Sequence, residues 1–94
     1  MNLRLMPEAE EILFEIGMWV ETKNTPGSGE RFINAFMDKL SAYVFPNGKY
    51  PLCKNKFLAS YRLSCIALND WVEAFKQSKE EFVVHYILYG PWLK

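Results

Sequence analysis

The apolar residues change period part way along the chain, and that change constrains the fold more than any other feature. Between Pro7 and Thr22 they recur every three or four positions, with Ala9, Ile12, Leu13, Ile16, Trp19 and Val20 on one stripe. This is the pattern of a helix with a single buried face. Phe32, Ile33, Phe36, Leu40, Tyr43 and Val44 repeat it, predicting a second helix that continues to about Phe45. From Phe57 the period becomes two: Phe57, Ala59, Tyr61, Leu63, Cys65 and Ala67 alternate with Leu58, Ser60, Arg62 and Ser64. Alternation predicts a half-buried strand with the first set inward. Two amphipathic helices imply an antiparallel pair that still needs a sheet to cover.

Turn chemistry supplies the boundaries. Asn2 to Met6 reads as a short strand ended by Pro7, which opens the first helix, and Glu8, Glu10 and Glu11 then meet the positive end of its dipole. Gly17, in mid-helix, is expected to allow close approach of the second helix. The run from Lys23 to Gly29 is a turn by composition. The second helix starts either with Thr25 as cap and Pro26 at the first position, or with Ser28 as cap and Glu30 in the first turn. Pro46-Asn47-Gly48 ends it, and Lys49 to Lys56 is a loop broken by Pro51. Asn69-Asp70 fits a tight hairpin turn between the strand from Phe57 and another at Trp71–Lys76. After a turn at 77–80, Phe82–Tyr89 is apolar on both parities and is expected to be a central strand. The predicted order is β-α-α-β-β-β: one α+β domain over residues 1–94, its N-terminal strand and antiparallel helix pair packed on an antiparallel sheet.

Composition narrows the function classes. With 94 residues, half of them apolar and 16% aromatic, the chain can build one core and does not have the composition of a disordered segment. Cys53 and Cys65 form no CxxC pair and are expected as reduced thiols. Neither a leader nor an apolar run of bilayer length is visible, so the expected location is the cytoplasm, with no membrane partner. There is no phosphate-cradling glycine motif, and the single histidine, His85, has no second ligand at a useful spacing, so neither a cofactor nor a metal is expected. Glu11 and Glu15, four apart on the first helix, read as a solvated face.

The net charge is zero but unevenly spread. Residues 1–30 hold six acids and two bases, whereas residues 31–94 hold nine bases and five acids. The stretch 49–62 carries Lys49, Lys54, Lys56 and Arg62 and no acid. Asymmetry of this kind marks a surface that can face a polyanion. Arg62, expected in mid-strand between Ser60 and Ser64, offers a planar fork suited to phosphate or carboxylate. Lys54, Lys56 and Lys76 are the cations expected to extend its surface. His85 titrates near neutrality, so it suits either a hydrogen-bonded structural role or proton transfer.

Several segments resemble one known group. Arg4-Leu5-Met6-Pro7-Glu8-Ala9-Glu10-Glu11-Ile12-Leu13 is similar to the opening of RelE/ParE-superfamily toxins, where a strand meets a Pro-Glu-Ala-Glu helix start. Thr25 to Ile33 resembles that family's second helix, and Trp71 to Phe75 and Val83 to Gly90 resemble its last two core strands. The likeness covers nearly the whole chain. It implies the toxin of a bacterial type II toxin–antitoxin system, held by a cognate antitoxin and acting by ribosome-dependent, metal-independent mRNA cleavage or by poisoning DNA gyrase. A non-catalytic protein-binding module on the same scaffold is the alternative. Carried over by position, the resemblance implies Arg62, Lys76 and Tyr89; in an mRNA-cleaving toxin Arg62 is expected to be catalytic together with Tyr89 or His85, with Lys54, Lys56 and Lys76 along the nucleic acid. The chain departs from the family in its neutral charge, its acidic first helix and the missing glycine-rich lead-in at 49–57.

Overall fold

Proline at a first helical position sacrifices no hydrogen bond. Accordingly α1 (Pro7–Lys23) begins at Pro7, directly after strand β1 (Asn2–Leu5). The computed structural model describes residues 2–45 and 49–92; the turn expected at Pro46-Asn47-Gly48 and the end of the tail, Leu93-Lys94, lie outside them.

The second helix, α2 (Ser28–Ser41), is capped by its neighbour. Gly27 precedes it in a left-handed conformation, φ 87°, and no side chain of its own turn caps it. Instead the Glu21 carboxylate, from α1, accepts the Gly27 and Gly29 amides at 2.8 and 2.7 Å. Those two bonds, Gly29 first, hold the Glu21 pKa below its ordinary value, as expected for an anion at a helix N-terminus. The helix ends at Ser41 rather than near Phe45, tightening into three-residue turns through Val44. The expected close approach at Gly17 is present: a Cβ there would lie 2.6 Å from Ile33 Cδ1, and one on Gly29 would collide with the Gly17 carbonyl.

The strand expected from Phe57 is corrected. Residues 56–60 form a short helix, α3 (Lys56–Ser60), and strand β2 (Ser64–Leu68) starts only after it. Both ends of α3 are locally satisfied. The Asn55 side chain accepts the Leu58 amide at 3.0 Å. At the other end the Arg62 and Leu63 amides donate to the Ala59 and Leu58 carbonyls, with Arg62 at φ 60°. This is a Schellman ending, completed by burial of Leu58 and Leu63 in one cluster. Alternation over so few residues did not separate a capped turn of helix from a strand. Within β2 the inward set is also corrected: Ile66 and Leu68 are buried against the helices, whereas Ala67 is exposed.

The sheet has the order β1-β4-β3-β2, with β3 (Trp71–Gln77) and β4 (Glu81–Tyr89) inside. It is mixed rather than antiparallel, because β1 runs parallel to β4 while β2–β3 and β3–β4 are antiparallel. Hairpins force reversal only between strands they join, and no hairpin joins β1 to β4. The two-sided apolar pattern of β4 has a specific cause. Phe75 pairs with Val84 and Ala74 with Tyr86, leaving His85 as an extra residue. The bulge shifts the phase of the strand, so that Phe82, Val84 and Ile87 all enter the main core. There Phe75 and Phe82 stack at 4.2 Å, beneath Leu13, Ile16, Phe36 and Leu40 of the helix pair.

A second, smaller cluster holds Cys53, Leu58, Leu63 and Ala74. Its cysteines are bonded, not reduced: Cys53–Cys65 forms a disulfide with Cα atoms 4.9 Å apart. The Leu52–Ser64 bridge and the Cys53 amide on the Leu63 carbonyl bring the two residues together, a proximity that sequence spacing did not reveal. No helix among the described residues is long and apolar enough to cross a membrane.

Candidate functional site

Strand β2 stops at Ser64, opposite Phe75, so the last two residues of β3, Lys76 and Gln77, run on past it. The space beside them is a recess of about 580 Å³ lined by Lys49, Tyr50, Arg62, Ser64, Phe75, Lys76 and Gln77. Three segments deliver its cations. Lys49 arrives on the chain leading into Tyr50, which is anchored where the Ser64 hydroxyl donates to the Tyr50 carbonyl at 3.2 Å. Arg62 arrives on the left-handed residue after α3, and Lys76 on β3 itself. The one ion pair among the described residues, Arg4 with Glu81 at 3.0 Å, lies elsewhere.

Arg62 is held in a conformation that disfavours any side chain. Left-handed backbone costs a residue with a Cβ on the order of 1 kcal/mol, and the position after a Schellman ending is ordinarily glycine. Strain at such a position is a reason to look for function, and here the strained residue carries the guanidinium of the recess.

The Tyr50 ring closes the inner wall, edge-on to Phe75 at 5.1 Å, with its hydroxyl donating to the Tyr43 carbonyl at 2.6 Å. Burial raises its pKa, with the neighbouring Tyr43 adding to the effect, so it stays a neutral phenol. Gln77 is oriented by its Nε2 donating to the Phe45 carbonyl at 2.6 Å, while its buried Oε1 has no partner among the described residues.

His85 does not line the recess but is electrostatically coupled to it. Partial burial lowers its pKa first, the Lys76 and Arg4 cations lower it further, and Glu8 opposes them. At neutral pH the imidazole is therefore uncharged and able to accept a proton. Lys54 and Lys56 are exposed on the segment before and in α3; Lys54 borders a separate cleft beside the disulfide. The structure brings together Arg62 and Lys76, with His85 in reach of the latter's field. Tyr89 stands apart, at the opposite end of the β3–β4 ladder, where it pairs with Trp71 at a ring distance of 5.3 Å. It lines a groove of about 720 Å³ with Ile12, Ile16, Trp19, Trp71 and Ile87, edged by Glu15 and Asp70.

Three residues went unassigned in the sequence. Lys49 was visible only as one cation of the acid-free stretch, and Gln77 only as a turn residue. Glu73 is the third. It is fully buried on β3, paired with Ile66 and Ile87. Neither carboxyl oxygen has a partner in hydrogen-bond geometry among the described residues, and burial pushes its pKa up to about 9 against an opposing pull from the Leu68 backbone. The signal was an acid inside the apolar run Trp71-Val72-Glu73-Ala74-Phe75. Among the described residues no cluster of three or more metal-ligating side chains occurs. No family model and no curated protein matches the chain.

Proposed function

We propose that the chain is the toxin of a bacterial type II toxin–antitoxin pair and acts on RNA at the recess beside Lys76. The observation that carries this reading is the convergence of Lys49, Arg62 and Lys76 on one recess, with Arg62 in a strained left-handed conformation. Cations brought together at a conformational cost suit a phosphate backbone. A neutral imidazole on the next strand suits proton transfer.

Cleavage by 2′-hydroxyl attack follows from these parts. The 2′-oxygen bonds to phosphorus as the bond to the 5′-oxygen breaks, leaving a 2′,3′-cyclic phosphate. His85, on the neighbouring strand outside the recess, receives the 2′-proton through a bridging water, the leaving oxygen gains a proton from solvent, and Arg62 stabilises the charge on the phosphorane oxygens. Lys49 and Lys76 hold the flanking backbone, with Lys54 and Lys56 further along it. Tyr89 belongs, on this reading, to partner binding: its groove of Trp19, Trp71 and Ile87 suits an apolar segment of the antitoxin. The same groove favours the second reading, a protein-binding module without catalysis.

The test is induced expression in a bacterial host with primer extension on ribosome-associated message. Growth arrest with new 5′ ends is expected. Arg62→Gly separates charge from fold, because glycine suits the left-handed position better than arginine does; it should abolish cleavage and remain folded. Arrest with intact message would remove the nuclease reading in favour of a protein target such as gyrase, and growth without arrest would leave the binding module.

A further inference from the structure

The Cys53–Cys65 disulfide closes a loop that contains Lys54, Lys56, α3 and Arg62. Arg62 and the short helix that delivers it therefore lie within the span of one covalent link. Among the described residues, other ties from this loop to the rest of the fold are few. Its helix has five residues, far below the length at which a helix persists on its own. Beneath it lies a small cluster of Cys53, Leu58, Leu63 and Ala74, flanked by Cys65 and Leu88. The bond from the Cys53 amide to the Leu63 carbonyl and the Leu52–Ser64 bridge are single contacts at the same neck that the disulfide secures.

The disulfide is also reachable. Both cysteines line an open cleft of about 360 Å³, whose other walls include Pro51, Lys54, Ala67 and Val72. Cys53 is buried, while Cys65 is half-buried. Lys54, an exposed cation among the lining residues, favours an incoming thiolate and a departing one alike.

We propose that Cys53–Cys65 is a thiol-exchange site, and that opening it by a low-molecular-weight thiol such as glutathione releases the loop and weakens anion binding at the recess. The second half rests on the recess being an RNA site; the first does not. The incoming thiolate bonds to Cys65 Sγ as the Sγ–Sγ bond breaks, and Cys53 leaves with the electron pair. A second thiolate attacks the external sulfur of the mixed disulfide and frees Cys65. The two external thiols depart as their own disulfide, having supplied two electrons, and their two protons end on Cys53 and Cys65. Arg62, Lys54 and Lys56 then no longer meet the ligand preorganised, which lowers affinity without removing a charge.

Three measurements on the full chain test this. Intact mass during glutathione titration under native conditions should show the mixed disulfide and then the dithiol; resistance until the protein is denatured overturns the exchange site. Hydrogen exchange should show the Leu58, Arg62 and Leu63 amides losing protection in the reduced protein while β3 and β4 keep theirs. Unchanged protection at those amides overturns loop release, and loss throughout the sheet shows a structural crosslink instead. A labelled single-stranded RNA oligonucleotide should bind the reduced protein, and a folded Cys53→Ser/Cys65→Ser variant, about tenfold or more weakly than the oxidised protein. Equal affinity overturns the coupling. If the oxidised protein binds no RNA, the proposed function fails at this site, while the mass and exchange measurements still decide whether the disulfide is exchangeable and holds the loop.

Discussion

Glu73 is the residue whose behaviour departs furthest from its usual chemistry. A carboxyl buried between Ile66 and Ile87, with no partner in hydrogen-bond geometry among the described residues, keeps its proton well into the neutral range, with a pKa of about 9. Its unfolded value lies near 4.5. Between those two values the unfolded chain has released the proton and the native one has not. Stability is therefore greatest below the lower value and falls as pH rises through the window. At pH 7 the loss is on the order of 3 kcal/mol relative to acid conditions. Glu73→Gln, neutral at every pH, should match the wild type at pH 4–5 and melt at higher temperature at pH 8. Thermal melts across that range check it, and parallel pH profiles for the two proteins would show that the carboxyl is not protonated when buried.

At the level of elements, the helix pair illustrates a contest between propensity and packing. Alanine is favoured over glycine within a helix by about 1 kcal/mol, so Gly29→Ala in the first turn of α2 looks stabilising from sequence. Yet a Cβ there meets the Gly17 carbonyl, and a backbone atom in the middle of α1 gives way only if the helix moves. The expected outcome is a net loss of about 1–3 kcal/mol, the usual cost of overpacking, read as a lower urea midpoint. The helix start also depends on this distance. Glu21 reaches the Gly27 and Gly29 amides because the two backbones lie so close, so displacing α2 weakens its cap as well.

For the molecule as a whole, the separation of charge matters more than its sum. The acidic residues of α1 lie on the helical layer, while Lys49, Arg62 and Lys76 gather at the open end of β3. A neutral protein with three clustered cations should bind nucleic acid modestly and with a shallow dependence on salt. Each phosphate neutralised on a single strand contributes about −0.7 to the slope of log K against log salt. Three contacts then give a slope of about −2, measurable by fluorescence anisotropy from 50 to 200 mM salt. A slope near zero would mean that whatever binds there is not held through phosphates.

Local signals were sufficient for the two long helices and for strands β1, β3 and β4, but not for α3 or the start of β2. The stripe of Ala9, Leu13 and Ile16, the proline at position 7, the Asn69-Asp70 turn and the apolar run over 82–89 are all properties of neighbouring residues, and each marks an element the structure contains. The sequence also displayed the cations at 54, 56, 62 and 76, because charge is visible wherever it occurs. Contacts between distant residues were decided by tertiary structure alone. Cys53 meets Cys65 because a single bridge folds the loop back on β2. β1 lies parallel to β4 because no hairpin constrains it. The bulge at His85 sets the phase of β4 through its pairing with β3. The recess itself exists because β2 is two residues too short to cover β3, which no window along the chain can register. Periodicity reports which face of an element is buried; it carries no information about which element covers it.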